Sequence, residues 1–170
     1  MHALLKFAVL LVISGTLAAC SASAKVAVSQ PKSASISSDS VVALEVKAVG
    51  SEADEDTESV LQKLRSSLFG GLVANGVFKQ VVHPSDPADY RLVVSIDGVR
   101  AVSQGARIFL GVLAGENQLA AHCLLTESVN GEKVADFTVT GASAAHPLSS
   151  ENDMDDAIGK VVEKIVASLR

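Results

Sequence analysis

Basic residues are scarce in this chain and nowhere clustered: 14 lysines and arginines stand against 19 acids, for a formal net charge of −5. A phosphate-backbone partner needs a basic patch to displace counterions, so nucleic acid is excluded. Cysteine is almost missing, with two in 170 residues, too few for a disulfide framework. Long apolar runs are missing too. The N-terminal one, Phe7 to Ile13, falls far short of the roughly 20 residues a helix needs to cross a bilayer. Tryptophan is absent and aromatics make up only 4% of the chain, which gives no hint of an aromatic-lined ligand pocket.

What that N-terminus does have is a sorting signal. Lys6 and the amino terminus give a weakly positive start. An apolar core follows, then Ser14, Gly15 and Thr16, then the small residues Ala18 and Ala19 before Cys20. This is the order of a secretory signal peptide. Leu17-Ala18-Ala19-Cys20 resembles the lipobox read by bacterial lipoprotein signal peptidase. The resemblance implies a diacylglyceryl thioether on Cys20, cleavage before it and acylation of the new amino terminus with a palmitate-type chain. Several acyl chains on one residue anchor a protein stably where a single chain would not. Ser21, with no Asp after the cysteine, resembles the Gram-negative sorting signal for the outer membrane, which implies its periplasmic face, or the cytoplasmic membrane in a Gram-positive host.

Residues 1–19 therefore read as a lipoprotein signal peptide, 20–40 as the lipidated cysteine and a flexible tether, and 41–170 as one domain. Ser21 to Ser40 is rich in Ser, Ala and Lys and predicts a coil with a typical span of about 25 Å, roughly 65 Å if pulled straight. With Cys20 lipidated, Cys123 cannot close a disulfide within the chain. It reads as a small buried hydrophobe, with a reactive or intermolecular thiol as the alternative.

Val41 to Ala48 alternates, with Val42, Leu44 and Val46 on one face and Glu45 and Lys47 on the other, predicting a half-buried strand. The acidic block Glu52, Asp54, Glu55, Asp56 and Glu58 lacks the glycine and distal glutamate of a calcium loop. It suits a helix N-terminus instead, where carboxylates offset the dipole. Val60, Leu64, Leu68 and Leu72 make the apolar stripe of that helix, and Asn75-Gly76 ends it. Val77 to Val82 predicts a short strand near an edge. His83, Ser85 and Asp86 carry the letters of a catalytic triad, but neighbours around two prolines seldom converge with a base oriented by a third group.

Tyr90 to Asp97 and Asn117 to Glu127 alternate again, the second with Leu119, Ala121, Cys123 and Leu125 inward and His122 outward. A strict two-residue Asn-Gly turn would set Leu125 against Asp136 and mix the faces. A type I turn with Gly131 in a bulge sets Cys123 against Phe137, Ala121 against Val139 and Leu119 against Gly141. A last amphipathic helix runs through Met154, Ile158, Val161, Ile165 and Leu169. The whole predicts an α+β two-layer sandwich: a mainly antiparallel sheet of about five strands with two helices on one face, in the order β-α-β-β-β-β-α. The other face, with Glu45, Lys47, Arg91, Ser95, Asp97, His122, Asp136 and Thr138, is expected to be wet or to bind something.

Between the long strands, Arg107-Ile108-Phe109-Leu110-Gly111 and Gly115 combine apolar side chains with glycine punctuation. The segment is either strand extension tucked into the core or an exposed patch, and we take it as a partner-binding loop. It is too short to span a membrane, and no Gly-Lys-Ser/Thr ending makes it a phosphate cradle.

Ala88-Asp89-Tyr90-Arg91-Leu92, Arg107 with Gly111 and Gly115, the Leu119–Leu125 strand, the Asn-Gly hairpin and the Ala/Val-rich last helix together resemble a family of bacterial lipoproteins catalogued as domain of unknown function number forty-four-ten. Thr126-Glu127 departs from the family's frequent Asp before the turn. The family implies no catalytic residues, cofactor or metal. The expected function is a non-catalytic envelope lipoprotein, membrane-bound through Cys20, that binds an envelope protein or component. The alternative is an accessory subunit of an envelope transport or secretion complex. A third reading, a hydrolase using His122, Asp97 or Cys123, is disfavoured, because His122 and Cys123 are adjacent on one strand and point to opposite faces.

Overall fold

Alternating side chains become strands wherever one face can be buried, and the computed structural model places them in a single sheet. It describes residues 22–33, 35–49, 55–100, 117–143 and 153–170. The elements are β1 (Ser23–Gln30), β2 (Val41–Ala48), α1 (Glu55–Ala74), β3 (Gln80–Val82), β4 (Tyr90–Arg100), β5 (Gln118–Glu127), β6 (Lys133–Ala142) and α2 (Asp153–Leu169). The six strands lie in the order β1-β6-β5-β4-β2-β3. β2 pairs in parallel with β3 and β4, and the other neighbours are antiparallel. The α1 crossover supplies the long connection that the parallel β2–β3 pair requires.

The inward rows follow the predicted faces. Leu44, Leu92, Leu125 and Ala135 form one row, and Val46, Val94, Cys123 and Phe137 the next. Both helices cover this face. Leu64, Leu68 and Leu72 of α1 and Val161, Ile165 and Leu169 of α2 are buried there. α2 presses onto β6 at Gly141, where an added Cβ would lie 2.6 Å from the Ala157 carbonyl oxygen. The helices themselves are joined by Lys63 Nζ, near the middle of α1, and Asp155 Oδ1, in the first turn of α2, 2.7 Å apart.

The α+β sandwich is as the sequence implies, with two corrections of detail. First, the stretch read as a flexible tether contains β1. It pairs with β6 from Ser23 opposite Ala142 through Val28 opposite Phe137. Its far end is tied down as well: the Ser33 N–H donates to the Val134 carbonyl at 2.8 Å, and Lys32 Nζ donates to the carbonyls of Leu169 and Arg170 at the end of α2. That lysine satisfies helix-terminal acceptors that would otherwise need water. Second, the β5–β6 register has the predicted face pairs, but the extra residue is Val134 rather than Gly131. Leu125 faces Ala135 while Thr126 faces Lys133. Gly131 does take the left-handed conformation, φ 71°.

β3 is shorter than its apolar sequence. Val77 and Phe78 donate their N–H groups to the Leu72 carbonyl, and Gly76, at φ 64°, donates to Val73. This is a Schellman cap, and it takes the backbone groups that a longer strand would have used. Among the described residues no helix is long and apolar enough to cross a membrane.

Candidate functional site

Two surfaces stand out among the described residues once the core is filled. One is the sheet face without helices. Lys47, Ser95, His122 and Thr138 lie in one row across β2, β4, β5 and β6. In the next row Asp136 sits beside Leu124, Val93 and Glu45. His122 Nε2 donates to Asp136 Oδ1 at 2.7 Å, and Lys133 Nζ donates to Oδ2 at 3.1 Å. These two hydrogen bonds, the histidine's first, hold the Asp136 carboxyl below its ordinary 3.8. Glu45 pairs with Lys47 on the same strand at 3.0 Å. Asp97 is the extra residue where the β4–β5 register shifts between Ile96 and Gly98, and its side chain is outside the described set.

The second surface is created by the shortness of β3. β3 accompanies β2 only from Val41 to Ala43, so the β2 edge beyond has no strand beside it among the described residues. A groove of about 360 Å³ follows that edge, walled by Leu44, Val46, Phe69 and Val81, with Arg65 and His83 among its polar groups. Arg65 Nη2 reaches across to the Val46 carbonyl at 3.1 Å. Phe69 is half exposed, on the flank of the buried α1 stripe. A large aromatic off the stripe in an aromatic-poor chain is the sequence signal for this groove, and the i+4 pattern alone passes over it.

The triad letters do not assemble a triad. Ser85 directs its hydroxyl at His83 Nδ1, 2.8 Å away, but Asp86 accepts from the His83 backbone N–H at 3.2 Å and leaves the ring alone. All three residues lie at the surface, in a turn closed by Asp86 N–H to the His83 carbonyl. The Ser85 backbone N–H also donates to Nδ1, at 3.3 Å, so that nitrogen is an acceptor, but Asp86 bonds backbone and does not orient the imidazole as a triad requires. His122 and Cys123 fall on opposite faces, half-buried and fully buried respectively. Among the described residues no group of three or more His, Cys, Asp or Glu could hold a metal ion. Cys20 and the segment with Arg107, Ile108, Phe109, Leu110, Gly111 and Gly115 lie outside the described residues.

The model of the family described as "Domain of unknown function (DUF4410)" matches residues 25–147. The chain belongs to the DUF4410 family. The family match opens inside β1, in agreement with a domain that begins before residue 41. A comparison with curated protein sequences finds no match. Among solved structures, the PelC dodecamer from Paraburkholderia phytofirmans is similar at TM-score 0.58 and 15% identity, covering 86% of this chain and 97% of PelC. A variant of the same protein in a second crystal form gives TM-score 0.54 and 18% identity, covering 87% and 96%. Lipoprotein GNA1162 from Neisseria meningitidis gives TM-score 0.42 and 11% identity, covering 75% and 96%. At these identities what the DUF4410 chain shares with PelC is the fold.

Proposed function

We propose that this DUF4410 protein is a lipid-anchored lipoprotein of the bacterial envelope, acylated at Cys20, that works by binding a protein or envelope component rather than by catalysis. The observation that carries the binding reading is the groove beside the truncated β3. An open strand edge next to the apolar walls of Leu44, Val46, Phe69 and Val81 offers both backbone groups and side-chain contacts to an extended segment of a partner. The segment from Arg107 to Gly115, with Phe109 and Leu110, is the second candidate contact, from its sequence. Ser21 after the anchor favours the periplasmic face of the outer membrane in a Gram-negative host, and the cytoplasmic membrane in a Gram-positive one.

The test is a photo-crosslinking amino acid placed at Phe69 or Phe109 in cells, with the mass of the mature protein measured alongside. A discrete adduct at either position supports the reading. Replacing Phe109 and Leu110 by Asp then removes the Phe109-side contact while leaving folding intact. No adduct at either position sinks the binding claim. An unmodified Cys20 sinks the anchor.

A second reading, a subunit of an envelope transport or secretion assembly, is favoured by the two open ends of the sheet. β1 exposes Val26 and Val28 at one edge, and among the described residues no strand pairs with that side of β2 past Ala43 at the other. PelC, which shares this fold along nearly its whole length, is a dodecamer. Edge-to-edge contact between two such different strands is heterologous, and it closes into a ring when the rotation allows. Native mass spectrometry of the delipidated domain distinguishes the two: a defined ring favours the assembly, a strict monomer the solitary binder.

A further inference from the structure

Four residues on four strands fall in one row: Ser23 faces Ala142, Ala142 faces Gln118, and Gln118 faces Arg100. Cys20 is three residues before Ser23, a reach of about 10 Å at full extension. Both helices start at this end, since α1 follows the Ala48 end of β2 and α2 follows the Ala142 end of β6. The opposite end carries the hairpin around Gly131 and the cap of α1 at Asn75–Gly76.

We propose that the end of the sheet marked by this row is the end the domain turns to the lipid bilayer, so that the protein stands end-on at a fixed distance from the headgroups. The proposal rests on acylation of Cys20. A coil of some 20 residues would let the domain tumble about 25 Å from its anchor. β1 removes that freedom. Its pairing with β6, the Ser33 hydrogen bond to Val134 and the Lys32 contacts with the end of α2 tie the chain to the domain from Ser23 to Ser33. The acyl chains are then joined to the sheet through Ser21 and Ala22 alone. Ser23 and Arg100 are three strand spacings apart, about 14 Å, so the row is small enough for one anchor to hold it against a surface. The β2-edge groove, lined by Leu44, Val46, Val81 and His83, runs along the side of the sheet and is not part of this row.

The experiment uses the full acylated chain in phosphatidylcholine vesicles, a neutral surface that does not repel the acidic helix starts. In a Cys123→Ala background, a fluorophore is attached through Gln118→Cys in the row or Val129→Cys in the distal hairpin, both exposed positions. A quencher is carried on the lipid headgroup. The expected result is quenching several-fold stronger at position 118 than at position 129, falling to near equality when a ten-residue Gly-Ser segment is inserted between Ser21 and Ala22. Equal quenching in the uninserted, acylated chain overturns the end-on posture while leaving the anchor intact. A chain whose mass shows no acyl groups and which vesicles do not retain overturns both.

Discussion

Cys123 stands directly opposite Phe137 across the β5–β6 ladder and is wholly buried, while its neighbour His122 stands opposite Thr138 on the other face of the sheet. The thiol is therefore part of the core. A thiol reagent can reach it only after β5 or β6 detaches, so its reaction rate should follow unfolding. In the acylated chain, labelling in native buffer is expected to be orders of magnitude slower than in denaturant. Fast native labelling would make Cys123 a candidate reactive group again. Cys123→Ala should cost about 1–2 kcal/mol through the space left against Phe137.

The close approach of α2 to β6 predicts opposite outcomes for two glycines. At Gly141 an added Cβ meets the Ala157 carbonyl oxygen at 2.6 Å and Val161 Cγ2 at 2.7 Å. Backbone cannot yield cheaply, so Gly141→Ala should push α2 off the sheet and destabilise by roughly 1–3 kcal/mol or more. Gly159 lies on the exposed side of α2, and a Cβ there meets nothing within 4 Å. Gly159→Ala should stabilise by about 0.5–1 kcal/mol through the entropy of the unfolded chain. Urea midpoints of the two variants, shifted in opposite directions, are the check.

Gly76 supplies a third case, governed by conformation rather than space. Nothing lies within 4 Å of its would-be Cβ, yet its φ is +64° and it closes the cap of α1. Gly76→Ala should cost about 1 kcal/mol. Gly70→Ala, inside the same helix with equally open surroundings, should gain instead. Thermal unfolding of both variants separates left-handed strain from crowding.

Those elements are legible in the sequence to the extent that burial writes itself into local patterns. β2, β4, β5 and β6 each bury one face against a helix, so their alternation, and with it the Cys123–Phe137 and Ala121–Val139 pairing, can be read from the residues alone. β1 also alternates, as Lys25-Val26-Ala27-Val28, but it lies at the sheet margin, where Val26 and Val28 remain partly exposed. Such a strand needs little hydrophobicity, and its composition matches that of a linker. The groove is only half legible, for a different reason. It depends on β3 stopping at Val82, opposite Ala43, where the turn His83–Asp86 begins; the residues record that break and the off-stripe Phe69, but not that β2 runs on past it.

The β1 pairing makes its own prediction. In hydrogen exchange, amides of Ser23–Val28 that point to β6 should be protected together with those of β6, whereas a free tether would exchange at once. Lys32→Ala removes the donor to the Leu169 and Arg170 carbonyls and should speed exchange at the end of α2 before it affects β4 or β5. Immediate exchange throughout residues 23–28 would rule out β1 in solution.

Asp136 gives the sheet face a pH dependence whose sign is fixed by its partners. The hydrogen bond from His122, and then that from Lys133, favour the carboxylate and set its folded-state pKa below the ordinary 3.8. A carboxyl with a depressed folded pKa contributes stability that is fully present above 3.8 and is lost as pH falls through the folded value, because protonation first costs the folded state its two acceptors. The pair with Lys133 is partly solvated, so the whole arrangement should be worth only about 0.5–1 kcal/mol. Asp136→Asn should therefore lower stability by that amount at neutral pH and by progressively less as the pH drops below 3.8, until the two proteins unfold alike. Lys133→Ala should show a smaller loss than His122→Ala, since the histidine is the stronger donor to the carboxylate. Urea titrations of the three variants across that acid range measure the difference directly, and a gap between wild type and Asp136→Asn that widens toward acid would mean the carboxyl is held above its ordinary value, not below it.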